Sequence, residues 1–95
     1  MLVMPLAHSI AIQGHVQGVF FREWTVRVAT SLGVTGWVRN RRDGGVEVYA
    51  VGTQDQLNRF VAELRSGSPA SRVDELLVKD APFEPVKGFV RRSSV

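Results

Sequence analysis

The run Gly14-His15-Val16-Gln17-Gly18-Val19-Phe20-Phe21-Arg22 restricts this chain more than any other stretch, because it joins a strand-like segment to a helical one through two glycines and ends on an arginine. Glycine permits positive φ and lets the backbone come close to a ligand, so successive N–H groups can converge on an anion at the start of the next helix. Arg22 adds a charged, forked donor for the same oxygens. The expected product is a phosphate cradle set between a strand and a helix.

Periodicity places the remaining elements around that joint. Ala7 to Ile12 alternates as a strand with Ile10 and Ile12 on one face, and Gly14 is expected to end it. From Arg22 to Leu32 the residues Trp24, Val28 and Leu32 recur every four positions, which predicts a helix packed by that stripe and stopped by Gly33. Val34–Arg39 and Val46–Val51 read as strands, and Asp43-Gly44 between them is a hairpin signal. In the second of these, Val46, Val48 and Ala50 alternate with Glu47 and Tyr49, so one face is expected to be buried and the other at least partly wet.

Thr53 with Gln56 forms a capping-box pattern, and Leu57, Phe60, Val61 and Leu64 follow at helical spacing. Ser66-Gly67-Ser68-Pro69 ends this helix, Val73–Lys79 reads as a fourth strand, and Gly88–Arg92 as a short extended piece pairing at an edge. The order strand, helix, strand, strand, helix, strand predicts an α+β fold of the ferredoxin-like, split βαβ type (βαββαβ). Its antiparallel sheet carries both helices on one face. That fold serves many functions and names none of them.

Composition removes several chemistries. With 95 residues, of which 44% are hydrophobic, the chain is expected to form a single domain over 1–95. It has no cysteine, which excludes disulfides, thiolate catalysis and cysteine-ligated metal centres. The apolar start Met1–Ala7 has no basic residue and is broken by Pro5, so no signal peptide is expected. No apolar run reaches the roughly 20 residues that span a bilayer, and the expected location is cytoplasmic. His8 and His15 lack a carboxylate pair or ligand spacing, so no metal and no cofactor is expected. The formal charge of +3 is modest and its basic residues are mostly scattered, with Arg39-Arg41-Arg42 and Arg91-Arg92 as the local clusters; this reads as a solvated surface, and drawing in small phosphorylated anions needs no more charge.

Beside the glycine run stands a second motif, Gly36-Trp37-Val38-Arg39-Asn40-Arg41-Arg42-Asp43-Gly44-Gly45-Val46, with Gly52 closing the third strand and Gly67-Ser68-Pro69-Ala70-Ser71-Arg72-Val73 further on. Together they resemble the acylphosphatase family, small hydrolases of the mixed anhydride between a carboxylic acid and phosphate, over about His8 to Arg92. The family's ferredoxin-like fold agrees with the element order reached independently. The resemblance implies that Arg22 and the backbone amides of His15, Val16, Gln17, Gly18, Val19 and Phe20 bind the phosphate. It also implies that Asn40 holds the attacking water, with a phosphate oxygen of the substrate taking the water proton.

The reaction so implied needs few polar groups. The leaving carboxylate has a conjugate acid of pKa about 4, so no general acid has to protonate it. Phe20 or Phe21 is a candidate for lining the acyl side. The expected partner is a small-molecule acyl phosphate, with no nucleic acid, no membrane and a monomeric chain. Two alternatives compete: an RNA-binding module of the same element order, for which only Tyr49 would offer a stacking surface, and a non-catalytic binding domain that keeps the fold.

Overall fold

A computed structural model describes residues 5–94; the opening Met1–Met4, part of the stretch where no signal peptide is expected, and Val95 lie outside the described residues. The elements in chain order are β1 (Leu6–His15), α1 (Phe21–Leu32), β2 (Thr35–Asn40), β3 (Val46–Gly52), α2 (Gln54–Ser66), β4 (Arg72–Asp80) and β5 (Phe89–Arg91). The sheet order is β4-β1-β3-β2-β5. The first four strands form the antiparallel ferredoxin-like sheet. β5 pairs parallel with β2, so the whole sheet is mixed rather than purely antiparallel.

The core lies between the sheet and the helices. Ile10 and Ile12 of β1, Val38 of β2 and Val46, Val48 and Ala50 of β3 are wholly buried against Leu57, Phe60 and Leu64 of α2. Phe60 meets Phe89 of β5 edge-on at 5.7 Å, which closes the core at that side. α2 begins as its sequence dictates: the Thr53 hydroxyl accepts from Gln56 N at 3.2 Å and the Gln56 side chain accepts from Thr53 N at 2.8 Å.

α1 differs from the expected stripe. Its buried line is Phe21, Thr25 and Ala29, while Trp24, Val28 and Leu32 flank it half-buried. Two of the three buried positions, Thr25 and Ala29, carry small side chains, and the large residues on either side pack against the same core. Thr25 keeps its hydroxyl satisfied by donating to Phe21 O at 2.9 Å.

Gly14 does not end β1. It lies inside the strand at a register shift between β1 and β4, with φ 141°. A Cβ there would stand 2.1 Å from the carbonyl oxygen of Arg72. The glycine therefore serves close backbone approach at a bulge rather than a turn.

The other face of the sheet is not wet at Tyr49. This residue and Val51 are buried with Ala7, covered by the proline-containing segment 81–88 through Ala81 and Val86. The Tyr49 hydroxyl donates to Pro82 O and accepts from Glu84 N, both at 2.7 Å. These bonds strap the segment across the sheet.

Gly14→Ala is expected to lower stability by about 2–4 kcal/mol, since both the positive φ and the contact with Arg72 O oppose a side chain. Thr53→Ala should cost only about 1 kcal/mol by removing one cap bond. Urea unfolding of the two variants checks the order.

Candidate active site

Two segments far apart in sequence form the site. The first leaves β1 with Val16 buried as its anchor, passes Gly18 at φ 74°, and enters α1 through Phe20 at φ 58°, ψ 28°. Phe20 is the only non-glycine residue with positive φ among the described residues. The second is the end of β2, where Asn40 pairs with Val46 just before the hairpin turn. Antiparallel pairing of β1 with β3, Ile12 opposite Val46, sets the two side by side.

The start of α1 contrasts with that of α2. No side chain caps α1, so its first N–H groups point outward with the positive end of the helix dipole and no internal acceptor. α2, by contrast, carries a full capping box.

Val16, Gln17, Gly18, Phe20, Arg22 and Asn40 line one cavity of about 340 Å³. His15 and Val19 stand outside its wall: His15 is exposed at the end of β1, opposite Arg72, and Val19 packs against the core. His8 lies near the start of β1, at the far end from the cavity, with Nδ1 3.4 Å from Asp80 Oδ1. Among the described residues no group of three His, Asp or Glu side chains gathers as a metal site.

Side-chain bonds brace this arrangement from three directions. Gln17 Nε2 donates to Arg41 O at 2.8 Å and to Gly45 O at 2.7 Å, tying the glycine loop to both sides of the hairpin turn. Arg22 Nη1 donates to Arg92 O at 3.1 Å. Arg92 is itself fixed, its N–H bonded to Val38 O at 2.8 Å and its guanidinium 4.7 Å from the centre of the Trp37 ring. Arg39 lies over the same ring at 4.9 Å. Asn40 takes no part in these braces, so its carboxamide is available to a ligand or water.

Phe21, Glu23 and Arg91 also line the cavity, and Arg91 Nη1 stands 3.6 Å from Glu23 Oε1. The local pair Arg91-Arg92 stands out in the sequence as a basic cluster, but only the β2–β5 pairing carries it to Arg22. Arg39 and Arg41 of the hairpin are matched by carboxylates rather than simply solvated. Arg39 binds Glu47 at 2.7 Å, and Arg41 Nε stands 3.4 Å from Asp43. Asp43 accepts from Gly45 N at 2.9 Å, and this backbone bond above all holds its carboxyl below the ordinary value, helped by Gln13 and Arg41.

A family model for acylphosphatase matches residues 8–91. The chain belongs to the acylphosphatase family. It is 49% identical over 90 residues to an acylphosphatase of Rhizorhabdus wittichii, covering 95% of this chain and 91% of that one. Its fold superposes on the crystal structure of acylphosphatase from Bacillus subtilis with a TM-score of 0.89 at 36% identity, covering 94% and 99% of the two chains. The same fold occurs within a longer protein: full-length HypF in its phosphate- and nucleotide-bound form matches 99% of this chain with 13% of its own, at TM-score 0.90 and 27% identity. The family and its α+β ferredoxin-like fold are those the two sequence motifs indicated, and the reaction of this acylphosphatase is hydrolysis of acyl phosphates.

Gln17→Ala should lower kcat/KM about tenfold or more by releasing the loop from the hairpin. Gln17→Glu should be worse than Ala, because it sets a carboxylate against two carbonyl oxygens. Steady-state kinetics beside urea unfolding checks both. For Asp43, a depressed folded-state pKa means its stabilisation of the turn is complete above the ordinary carboxylate value and is lost as pH falls through the lower folded value. An NMR titration should show the Gly45 amide moving with a midpoint below the ordinary value, and Asp43→Asn should abolish that movement.

Proposed function

We propose that Arg22 and the backbone amides of His15 to Phe20, the loop that enters α1, hold the phosphate of the acyl phosphate, and that Asn40 positions the water that attacks phosphorus. The uncapped start of α1 carries this reading. It leaves N–H donors beside a positive-φ glycine and an arginine, the chemistry that an equatorial phosphoryl oxygen needs.

Phosphoryl transfer passes through a loose transition state, so the protein contributes alignment and charge stabilisation rather than covalent chemistry. Arg22, braced against Arg92 O, meets charge on the equatorial oxygens. The Asn40 carbonyl accepts from water while its amide group fixes the orientation, which aligns the oxygen lone pair with the P–O bond that breaks. The bond from water oxygen to phosphorus forms, the bond from phosphorus to the carboxyl oxygen breaks, and the carboxylate leaves without a proton. A phosphate oxygen of the substrate takes the proton of the water, so the residues supply no strong base.

The proposed working unit is one cofactor-free domain acting as a cytoplasmic monomer on a small acyl phosphate. Nucleic acid has no part in it, because Tyr49 is 6% exposed and its hydroxyl is held by the 81–88 strap, which withholds the aromatic face a base would need. Pairing of Arg39 and Arg41 with carboxylates further lowers the pull on a polyanion.

Hydrolysis of benzoyl phosphate followed by absorbance, with EDTA present, tests the roles. Arg22→Ala and Asn40→Ala are each expected to lose about 100-fold or more in kcat, on the scale of a deleted oxyanion donor. Arg22→Lys should recover little, since a point charge does not reproduce a planar fork. Near-normal turnover in Asn40→Ala would sink its role. Strict dependence on a metal would contradict the cofactor-free reading, and a folded but inactive wild type would favour the binding-domain alternative.

A further inference from the structure

Phe20 combines two unfavourable features that nothing within the protein offsets. Its backbone sits in the left-handed region at φ 58°, ψ 28°, which bulky L-residues avoid. Its side chain is 80% exposed, more than any other large apolar residue among those described. The ring belongs to neither apolar cluster and to no aromatic pair, whereas the next residue, Phe21, is 1% exposed and packs on Trp24 at 5.3 Å. Phe21 therefore meets the local need for a core anchor. Glycine at position 20 would remove both the strain and the exposure, so the aromatic ring points to a role with a ligand.

Phe20 lines the same cavity as Arg22 and Asn40, at the residue just before α1 begins. A phosphate held by the cradle directs its acyl group away from the helix N-terminus and toward the open side. Of the apolar residues in the wall, Val16 and Phe21 are each 1% exposed and present almost no surface. Phe20 alone offers an accessible apolar face there. The Glu23–Arg91 pair supplies a polar wall in the same cavity.

We infer that the Phe20 ring is the acyl-side contact of the site and favours acyl phosphates with a flat or aromatic acyl group over small aliphatic ones. This rests on the proposed placement of the phosphate in the cradle. Stacking on an acyl group desolvates the exposed ring and adds the preference of two π-systems for offset or edge contact.

The test compares kcat/KM for benzoyl phosphate and acetyl phosphate in the wild type, Phe20→Asn and Phe20→Trp. Asparagine tolerates the left-handed conformation and removes the ring; tryptophan retains an aromatic face. The benzoyl-to-acetyl ratio should fall about tenfold in Phe20→Asn and stay within about twofold of wild type in Phe20→Trp. Phe20→Gly repeats the ring deletion should the asparagine variant fold poorly. Any loss shared equally by both substrates reports on the cradle and not on the ring, so a ratio unchanged by ring deletion overturns the inference while leaving the reaction intact. Wild-type protein that hydrolyses neither substrate would overturn the functional reading itself.

Discussion

Pairing of β1 with β3 is the constraint on which the rest of the molecule depends. Ile10 opposite Val48 and Ile12 opposite Val46 place four apolar side chains on the helix-covered face. A slip of one residue would turn the β1 pair toward the other face, so burial fixes the register strongly. The same register determines that β1 ends beside the β2–β3 hairpin. Core packing and the meeting of the two site segments are thus consequences of one strand alignment, and the site needs no separate scaffold.

What core packing brings together, polar bonds then hold at finer precision. Gln17 spans from the glycine loop to two carbonyls of the hairpin, and Arg22 rests on a carbonyl at the far end of the chain. Burial is non-directional and tolerates small shifts, whereas a bidentate amide contact falls away steeply with distance and angle. The division suits a reaction that depends on alignment. Backbone strain at Phe20 and the absent cap on α1 belong to the same economy of parts: features that would be faults elsewhere gather at the cavity lined by Arg22 and Asn40.

Legibility in the sequence followed the range of the interactions involved. α2 was readable because its signals are local, a capping box within four residues and an apolar face at helical spacing. α1 is legible as a helix but not by its buried line, since hydrophobic periodicity weighs Trp24, Val28 and Leu32 above Thr25 and Ala29, whose small side chains the packed core buries. Gly14 is legible as a backbone exception but not as a bulge, because the contact that needs it involves Arg72, remote in sequence. Tyr49 was expected on a wetter face because the strap over it, rich in proline and without periodicity, carries no pattern that assigns it to a surface.

By itself the sequence determined the element types and their order, since each is written in short runs of residues with definite backbone preferences, and its two motifs carried the resemblance to the family. The tertiary structure decided which residues meet: Gln17 with the hairpin, Arg22 with Arg92, the 81–88 strap with Tyr49, and β5 parallel to β2. It also separated two adjacent phenylalanines, burying Phe21 and leaving Phe20 at the cavity. These outcomes depend on contacts between residues distant in the chain, and on a helix start whose direction is settled only when α1 packs on the sheet. Local preference limits the conformations available, but the closing of a shared core selects among them.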